Sequence, residues 1–298
     1  QCAGASEEDI AHISFPLGIH PVGHLMARAA QHLNIGVNWA GAGNSTPSEV
    51  QINLIDMLQP TIWMGMSSYG LHLANLAEAA GIDLPGNSVN RLICSAEQVT
   101  DAKRAKIERM WGARLYDSFG MTEAGMMGCE SEAREGFHIW TDMYFIEVLH
   151  PDTYLPVAES DVGTLVVTPL WTNNATPFIR WNSGDLVTYR AKGESDGPFS
   201  VFPLIKHTHR TAGFFKIRGV NMNHTEFEDF MFRHDDVGDF KVELVTAEGN
   251  GPRVRNQAYS SDIQGITVPF LEVRFVALNG RDFEESEMTV IDPMRTLT

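Results

Sequence analysis

One short segment combines side chains that can bind a phosphate group and a metal ion. Thr122 offers a hydroxyl and Glu123 a carboxylate directly after a strand-like stretch, and carboxylate oxygens are ligands that Mg²⁺ accepts. Phe119 can pack on a flat ring, and nearby glycines let the backbone approach a ligand closely. The segment therefore suits part of a phosphate or nucleotide site. The alternative is a strand-to-helix turn with an N-capping threonine, since a Thr-Glu pair is very common.

Three further segments carry polar groups, and each has a plain structural alternative. Residues 95–97 (Ser-Ala-Glu) follow a strand-like run, where a simple loop is the commoner outcome. Asp185 follows a Ser-Gly turn and can accept from two vicinal hydroxyls, such as those of a ribose, although acidic residues are frequent in β-turns. Lys216 and Arg218, downstream of Arg210, share one face of a predicted strand, which could equally be a solvated hairpin.

The elements that must position these side chains alternate between strand and helix from Gly36 to about Asp117. The predicted strands are Val37–Ala40, Thr61–Met64, Arg91–Cys94 and Arg114–Tyr116. Thr46 and Thr100 are the predicted N-terminal caps of two intervening helices. Strands separated by helices indicate a parallel sheet with helices packed on it, and ligands bind beyond the carboxyl ends of such strands.

The pattern becomes β-rich after about His138 and changes again near Gly219. We therefore predict an α/β fold, in which a parallel sheet layered with helices and a β-rich subdomain precede a small α+β C-terminal domain. The predicted divisions are a large domain at 1–209, which includes the subdomain at 139–209, a hinge at 210–219 and the small domain at 220–298.

The composition excludes several classes of protein. The 298 residues carry a formal net charge of −16, which disfavours nucleic acid as a partner because its phosphates demand a basic face. We find no apolar run long enough for a membrane span and no signal peptide. Only three scattered cysteines are present, which suits a reducing cytoplasm.

The order and spacing of the polar segments are specific, although each segment is weak alone. The chain resembles the superfamily of acyl-CoA synthetases, peptide-synthetase adenylation domains and luciferases, and within it the phenylacetate–CoA ligase-like branch. Over roughly residues 10–245, the matching segments are Ser95–Gln98 for the adenine loop, Phe119–Glu123 for the Tyr-Gly-Leu-Thr-Glu core, Trp181–Asp185 for the ribose motif and Arg210–Asn221 for the hinge.

This resemblance implies a ligase that works in two steps. The carboxylate of an acid attacks the α-phosphorus of ATP to give an acyl-adenylate and pyrophosphate, and a thiol or amine then displaces AMP. Cations must neutralise the charge that develops in the first step. The resemblance implies that Glu123 holds Mg²⁺, that Thr122 contacts a phosphate and that Lys216 acts in the second step.

The resemblance also implies contacts for the nucleotide and the acid. The implied nucleotide contacts are Ser95, Ala96, Glu97, Ser118, Phe119, Gly120, Met121, Asp185 and Arg210. The implied pocket for the acid is formed by Phe15, Gly18, Trp39, Gly41, Gly65, Met66, Ala124 and Gly125. Because this pocket is apolar and roomy, we expect an aromatic, alicyclic or similarly hydrophobic acid.

Two parts of the family pattern do not occur within the 298 residues. The phosphate loop rich in glycine and hydroxyl side chains is expected to precede Gln1, and Lys241, the last lysine, lies too early to be the family's late lysine. We therefore expect the sequence to lack the N-terminal part of the large domain and part of the small one. In the hinge, Ala212-Gly213 replaces the usual pair of aspartates.

Four residues resemble a structural zinc site found in some members of the branch. Cys129 and His138 have the Cys-x₈-His spacing, and His207 and His209 stand near the position of a Cys-x-Cys pair, one residue closer to Arg210. One cysteine and three histidines suit tetrahedral Zn²⁺. The alternative is a buried cysteine, a histidine bonded to backbone and two unrelated surface histidines.

Several functional alternatives remain at the level of the sequence. The leading hypothesis is transfer of the acid to CoA, and the second is amide formation with an amino acid, as in coronafacate ligase-type enzymes. A non-catalytic nucleotide-binding relative and an interaction module without a nucleotide site are the remaining classes. A homodimer is compatible with the branch, although the sequence defines no interface.

Overall fold

The computed structural model describes residues 1–170, 176–194 and 196–210, except for the side chains of residues 209 and 210. Beyond residue 210 it describes separate strands and residues 228, 229 and 231–233. The chain divides into two compact units, Gln1–Thr211 and Ala212–Thr298. The division falls inside the predicted hinge at 210–219.

The first unit contains the site and is built from helices packed on one large sheet. Its helices among the described residues are α1 (Val22–His32), α2 (Ser48–Leu58), α3 (Ser67–Ala80) and α4 (Asp101–Trp111). Its strands are β1 (Ile10–Ile13), β2 (Gly36–Trp39), β3 (Ile62–Gly65), β4 (Arg91–Ser95), β5 (Arg114–Met121), β6 (Gly125–Glu130), β7 (Phe137–Ile139), β8 (Tyr144–Leu149), β9 (Val162–Pro169), β10 (Trp181–Arg190) and β11 (Leu204–Arg210).

The strand order is β2-β1-β3-β4-β5-β6-β7-β11-β10-β9-β8. The first five strands are parallel, and every later neighbour pairs antiparallel. This mixed sheet with covering helices confirms the predicted α/β class. The β-rich region expected at 139–209 is hydrogen-bonded to the parallel part through β6 and β7, so the two parts share one sheet.

Local sequence signals explain some helix ends and fail at others. The helix α4 begins as predicted, because the hydroxyl oxygen of Thr100 accepts a hydrogen bond from the backbone N–H of Lys103 at 3.2 Å. The expected cap at Thr46 is wrong. Its hydroxyl instead donates to the carbonyl of Ala40 at 2.6 Å, and α2 starts after Pro47 without a side-chain cap.

The strand predicted at 114–116 continues into a hairpin. The strand β5 extends to Met121 and turns back into β6, with residues 122–124 at the tip. The close approach of the two strands requires glycine at position 120, since a Cβ there would lie 2.7 Å from the carbonyl oxygen of Gly125. The predicted phosphate-binding segment is therefore a hairpin tip and not a strand-to-helix turn.

Two hydrophobic clusters support the two halves of the sheet. Ile13, Ile62, Met64 and Tyr116 belong to the cluster under the parallel strands. Met127, Ile139, Tyr144 and Leu165 belong to the cluster under the antiparallel strands. Among the described residues, no helix is long and apolar enough to cross a membrane.

The described part of the second unit consists mainly of strands. These are β12 (Phe214–Ile217), β13 (Val220–Asn223), β14 (Phe240–Thr246), β15 (Arg255–Gln257), β16 (Thr267–Val268) and β17 (Leu271–Ala277). In the hairpin of β12 and β13, Lys216 faces Asn221. The side chain of Lys216 lies outside the described residues.

Candidate active site

The parallel strands bring the predicted site segments to one edge of the sheet. Trp39 ends β2, Gly65 ends β3 and Ser95 ends β4, while Ser118 lies beside Ser95 on β5. These carboxyl ends are where ligands bind in sheets of this kind. Because the spatial order of the strands is β2-β1-β3-β4-β5, Trp39 and Gly65, assigned to the acid, precede Ser95 and Ser118, assigned to the nucleotide, along the edge.

Ser95 and Ser118 lock the ends of β4 and β5 together. The hydroxyl of Ser95 donates to the carbonyl of Ser118 at 2.8 Å, and the hydroxyl of Ser118 donates to the carbonyl of Cys94 at 2.7 Å. Both serines are buried. Both hydroxyls are therefore used in hydrogen bonds to the backbone. The loop that follows Ser95 remains as the part of this region that could frame a flat ring.

Glu97 binds a helix terminus instead of projecting from the loop. Its carboxylate accepts from the hydroxyl and backbone N–H of Ser68 at 2.5 and 2.8 Å and from the hydroxyl of Ser67 at 2.8 Å, all in the first turn of α3. Lys103 adds an ion pair at 3.6 Å. Burial alone would raise the pKa of Glu97, but Lys103 and the bonds from Ser68 and Ser67 outweigh it and lower the pKa.

The loop between Ser95 and Glu97 has a strained backbone. Ala96 has a φ of +73°, a left-handed conformation that is unfavourable for a residue with a Cβ, and its side chain is exposed. Glu97 fixes one side of this residue and Ser95 the other. Strain held in this way between two anchored neighbours is typical of ligand-binding loops.

The hairpin tip presents Thr122 and Glu123 at the same edge of the sheet. Thr122 is exposed and Glu123 is partly buried. The hydroxyl of Tyr144, a residue with 1% exposure, lies 2.9 Å from the carbonyl oxygens of both Ala124 and Met126 and so supports the tip from below. A carboxylate and a hydroxyl held in this way form an oxygen-rich group that fits Mg²⁺ beside phosphates.

A buried charge network supports the hairpin behind this tip. Both carboxylate oxygens of Glu130 on β6 are used, one by the side chain of Arg104 at 2.9 Å and the other by the backbone N–H of Asp117 at 2.8 Å. Burial and the nearby Glu130 raise the pKa of Asp117 well above its usual value. The carboxyl of Asp117 accepts from the backbone N–H of Ser118 at 2.9 Å.

Asp185 sits at a bulge that aims its side chain inward. The register of β10 against β9 shifts between Asn182 and Leu186, and Gly184 takes the left-handed φ of +74° that this bend requires. The backbone N–H of Asp185 donates to the hydroxyl of Ser183 at 3.0 Å. Asp185 is 2% exposed and faces Arg210 in the strand register, which places the two predicted ribose contacts side by side.

The aromatic part of the site is a small cluster around Phe119. Its ring centroid lies 5.6 Å from that of Phe137 and 6.3 Å from that of His207. His207 also hydrogen-bonds Asp185, with 3.1 Å between Nε2 and Oδ1. Sequence reasoning assigned His207 to zinc, so this contact between the adenine and ribose segments was missed.

The structure does not support the zinc prediction among the side chains that it describes. Cys129 faces His138 across β6 and β7, and Nε2 of His138 lies 2.9 Å from the hydroxyl of Ser131. His207 is bonded to Asp185. Across the described residues, no group of three or more histidine, cysteine, aspartate or glutamate side chains is arranged to hold a metal ion. The side chain of the fourth predicted ligand, His209, lies outside them.

The predicted acid pocket is only partly as expected. Trp39 is 46% exposed, and Met66 is partly buried beside the start of α3. Phe15, by contrast, is fully buried in the core cluster and has no exposed surface on which an acid could pack. Gly18 is exposed, with open space where a side chain would project.

Gln51 is a support for this pocket that the sequence reasoning missed. It is fully buried, and its amide nitrogen donates to the carbonyl of Gly41 at 2.9 Å. Its amide oxygen accepts from the hydroxyl of Ser14 at 2.7 Å. A buried, fully used glutamine on α2 therefore fixes the loop after β2 to the end of β1.

Curated proteins with similar sequences include several phenylacetate–coenzyme A ligases. The chain is 29% identical over 252 residues to the enzyme of Thermus thermophilus, a match that covers 83% of this chain and 55% of the relative. It is 30% identical over 235 residues to the enzyme of Pseudomonas putida, covering 77% and 51%. The chain thus spans about half the length of these relatives. No family model matches the chain.

Solved structures of similar fold agree with these relatives. A 2-hydroxyisobutyryl-CoA ligase in the postadenylation state matches with a TM-score of 0.76 and 22% identity, covering 98% of this chain and 58% of that one. An amide bond synthetase from Marinactinospora thermotolerans matches with a TM-score of 0.62 and 14% identity, covering 97% and 55%.

The fold is that of adenylate-forming ligases. Within that superfamily, the chain belongs to the phenylacetate–CoA ligase-like branch.

Proposed function

We propose that the protein is an AMP-forming ligase that activates a hydrophobic carboxylic acid as an acyl-adenylate and transfers the acyl group to CoA. One observation carries this proposal. A single sheet edge gathers the strained loop at Ala96, the ring of Phe119, the buried carboxylate of Asp185 and the oxygen ligands at the hairpin tip. These features suit a ring, a ribose and a magnesium-bound phosphate chain.

Each part of the nucleotide has a described group to receive it. The exposed backbone around Ala96 and the ring of Phe119 would frame adenine. Asp185 would accept hydrogen bonds from the ribose hydroxyls, and Arg210 would be a second contact to the ribose. Glu123 and Thr122 provide the oxygen atoms that Mg²⁺ favours, so these residues fit the metal. When bound, Mg²⁺ would supply charge neutralisation for the phosphates.

The acid would bind at the ends of β1, β2 and β3, beside the nucleotide. Trp39 and Met66 give this region an apolar surface. An aromatic or alicyclic acid suits such walls. The carboxylate of that acid would lie toward the hairpin tip, where the phosphates of ATP are expected.

CoA is the preferred acceptor because the relatives with 29–30% identity are phenylacetate–coenzyme A ligases. An amine acceptor is the second candidate, favoured by the structural likeness to an amide bond synthetase. Zinc is not included in the proposal, because Cys129, His138 and His207 do not form a metal-binding group. A homodimer, a cytoplasmic location and the absence of nucleic-acid partners stay predictions.

The test is pyrophosphate release by the full-length protein with ATP and Mg²⁺ across a panel of acids, with CoA or amino acids as acceptors. We expect release with one or more hydrophobic acids. The variant Asp185→Asn should lower kcat/KM for ATP by about 10- to 100-fold, which is the effect of losing hydrogen bonds to a charged group. The matched variant Asp161→Asn changes an exposed aspartate directly before β9 and should leave the rate unchanged.

Each outcome of this panel has a defined meaning. If no acid supports pyrophosphate release, the ligase proposal is wrong. Turnover with CoA but not with amino acids excludes the amide version, and the reverse result excludes the CoA version. An equal loss of activity in both aspartate variants would contradict the role assigned to Asp185.

A further inference from the structure

His207 contacts two separate segments of the candidate nucleotide site. Its Nε2 atom lies 3.1 Å from Oδ1 of Asp185, and its ring centroid lies 6.3 Å from that of Phe119. The side chain of His207 is 16% exposed and that of Asp185 is 2% exposed. One imidazole therefore connects the residue assigned to the ribose with the residue assigned to the adenine.

Irregularities in both neighbouring strands create this contact. His207 pairs with Val187 and His209 pairs with Leu186, so Thr208 is the extra residue of a bulge in β11, and its hydroxyl donates to the carbonyl of Leu186 at 2.8 Å. The bulge in β10 before Asp185 turns the carboxylate toward the same side. Bulges of this kind redirect a side chain at a defined point in a sheet.

The chemistry of His207 and Asp185 determines which of them donates the hydrogen bond. A carboxylate only accepts hydrogen bonds, so Nε2–H of His207 is the donor and Oδ1 of Asp185 the acceptor. Two carboxylate oxygens have room for about four hydrogen bonds, so Asp185 can accept from His207 and from both hydroxyls of a ribose. The bond from His207 then fixes the rotation of the carboxylate, which decides whether both hydroxyls are reached at once.

Resting on the proposed function, we propose that His207 is a positioning residue that sets the preference of the site for ribonucleotides over 2′-deoxyribonucleotides. His207 acts through Asp185 and touches neither hydroxyl itself. Without the bond from His207, the carboxylate of Asp185 is oriented less well for two ribose hydroxyls at once, whereas a single hydroxyl can still be bound. Removal of the imidazole donor should therefore lower the affinity for AMP more than the affinity for 2′-deoxyAMP.

The experiment measures the affinities of AMP and 2′-deoxyAMP by titration calorimetry with the full-length protein. The variant His207→Leu removes the donor and keeps a side chain of moderate volume, while His207→Gln keeps an N–H near the position of Nε2. Lys206→Ala is the control, because Lys206 is an exposed neighbour on the same strand. Thermal unfolding of each variant establishes that it is folded.

We expect the wild-type protein to bind AMP more tightly than 2′-deoxyAMP. The ratio of the two affinities should fall by about fivefold or more in His207→Leu, recover at least partly in His207→Gln and stay unchanged in Lys206→Ala. If His207 only contributes to packing, both affinities fall together, the ratio stays constant and this inference is overturned.

Failure of the proposed function gives a different result. A wild-type protein that binds neither nucleotide contradicts the ligase proposal and this inference with it. A wild-type protein that prefers AMP, combined with a His207→Leu variant that keeps the same preference, leaves the ligase proposal intact and overturns the inference about His207 alone. If His207→Leu does not fold, His207→Gln is compared with Asp185→Ala. Because His207→Gln keeps a donor, it should keep the preference for AMP. If its ratio of affinities falls as far as that of Asp185→Ala, the inference about His207 is overturned.

Discussion

His12 is a fully buried histidine whose charge state affects the stability of the fold. It lies on β1, and its Nε2 is 3.4 Å from the amide oxygen of Gln51. Burial lowers its pKa to about 4, although the bond to Gln51 acts in the opposite direction. The folded protein therefore keeps this imidazole neutral at pH values where the unfolded chain already binds a proton.

The first prediction concerns the effect of pH on this residue. Because the folded pKa is depressed below the unfolded value of about 6.5, the contribution of His12 is fully present above pH 6.5. It should decrease by about 3 kcal/mol as the pH falls from about 6.5 to about 4, which is the shift of the pKa expressed as energy. Urea unfolding of the wild-type protein and of His12→Gln at several pH values measures this difference.

The difference between these two proteins should narrow steadily as the pH falls through that window. The variant His72→Gln provides the control, because His72 is exposed on α3. A constant difference between wild type and His12→Gln from pH 7 to pH 4 would show that the buried imidazole does not titrate as expected.

At the level of single residues, the sequence predicted positions better than contacts. Ser95 was placed correctly at the end of a strand, because the strand pattern alone indicates where that strand stops, whereas Ser118 and Asp185 lie inside β5 and β10, which are longer than predicted. The bond between His207 and Asp185 was not foreseen, since it depends on two bulges that leave no clear signal in the sequence. The hydrogen bonds that Glu97 accepts from the first turn of α3, a helix that begins 30 residues earlier, were not foreseen either.

The helix α3 starts at the boundary between the acid pocket and the adenine loop. Its first turn follows Gly65 and Met66, and it donates three hydrogen bonds to Glu97, directly after the strained Ala96. A carboxylate at a helix N-terminus is stabilised by the helix dipole and by unpaired N–H groups. Glu97 thus couples two loops that are expected to hold different substrates.

The second prediction tests this coupling through Glu97→Gln. The loss of charge at the helix terminus and beside Lys103 should lower the free energy of unfolding by about 1–3 kcal/mol at pH 7. Since the pKa of Glu97 is lowered in the fold, the contribution is present above the ordinary glutamate pKa and is lost as the pH falls through the lowered value. Urea denaturation at pH 7 and below pH 4 measures both effects.

The matched control for this change is Glu78→Gln on the same helix. Glu78 is exposed near the C-terminal end of α3, where a negative charge is not favoured, so the substitution should be neutral or slightly stabilising. Equal stabilities of Glu97→Gln and the wild-type protein at pH 7 would contradict the capping role of Glu97.

At the level of elements, the parallel part of the fold was predictable and the hairpin was not. The strands β2, β3 and β4 are short apolar runs bounded by turn residues and separated by helical periodicity, and they appear where expected. The pairing of β5 with β6 was missed because Thr122, Glu123 and the flanking glycines are equally typical of a loop. Only the long-range support from Tyr144 and Glu130 explains why this segment forms a hairpin.

The division of the whole chain separates the residues that are assigned to the two proposed half-reactions. The described contacts of the nucleotide and acid site lie within Gln1–Thr211, whereas Lys216 belongs to Ala212–Thr298. Because Lys216 is in the other unit, it can be replaced without removing the groups proposed to form the adenylate. The net charge of −16 makes each local cation important, because ATP and a carboxylic acid are both anionic.

The third prediction uses Lys216→Ala in the full-length protein to separate the two steps. Formation of the acyl-adenylate, measured as pyrophosphate released in a single turnover by rapid quench, should change by less than about twofold. Transfer to CoA, measured as thioester by chromatography, should slow by about 100-fold, the usual effect of removing one group that stabilises developing charge. The control Lys241→Ala removes the same charge from β14 of the same unit and should slow neither step. An equal loss of both steps in Lys216→Ala would assign Lys216 to the adenylate site itself, and an unchanged rate of thioester formation would remove it from the mechanism.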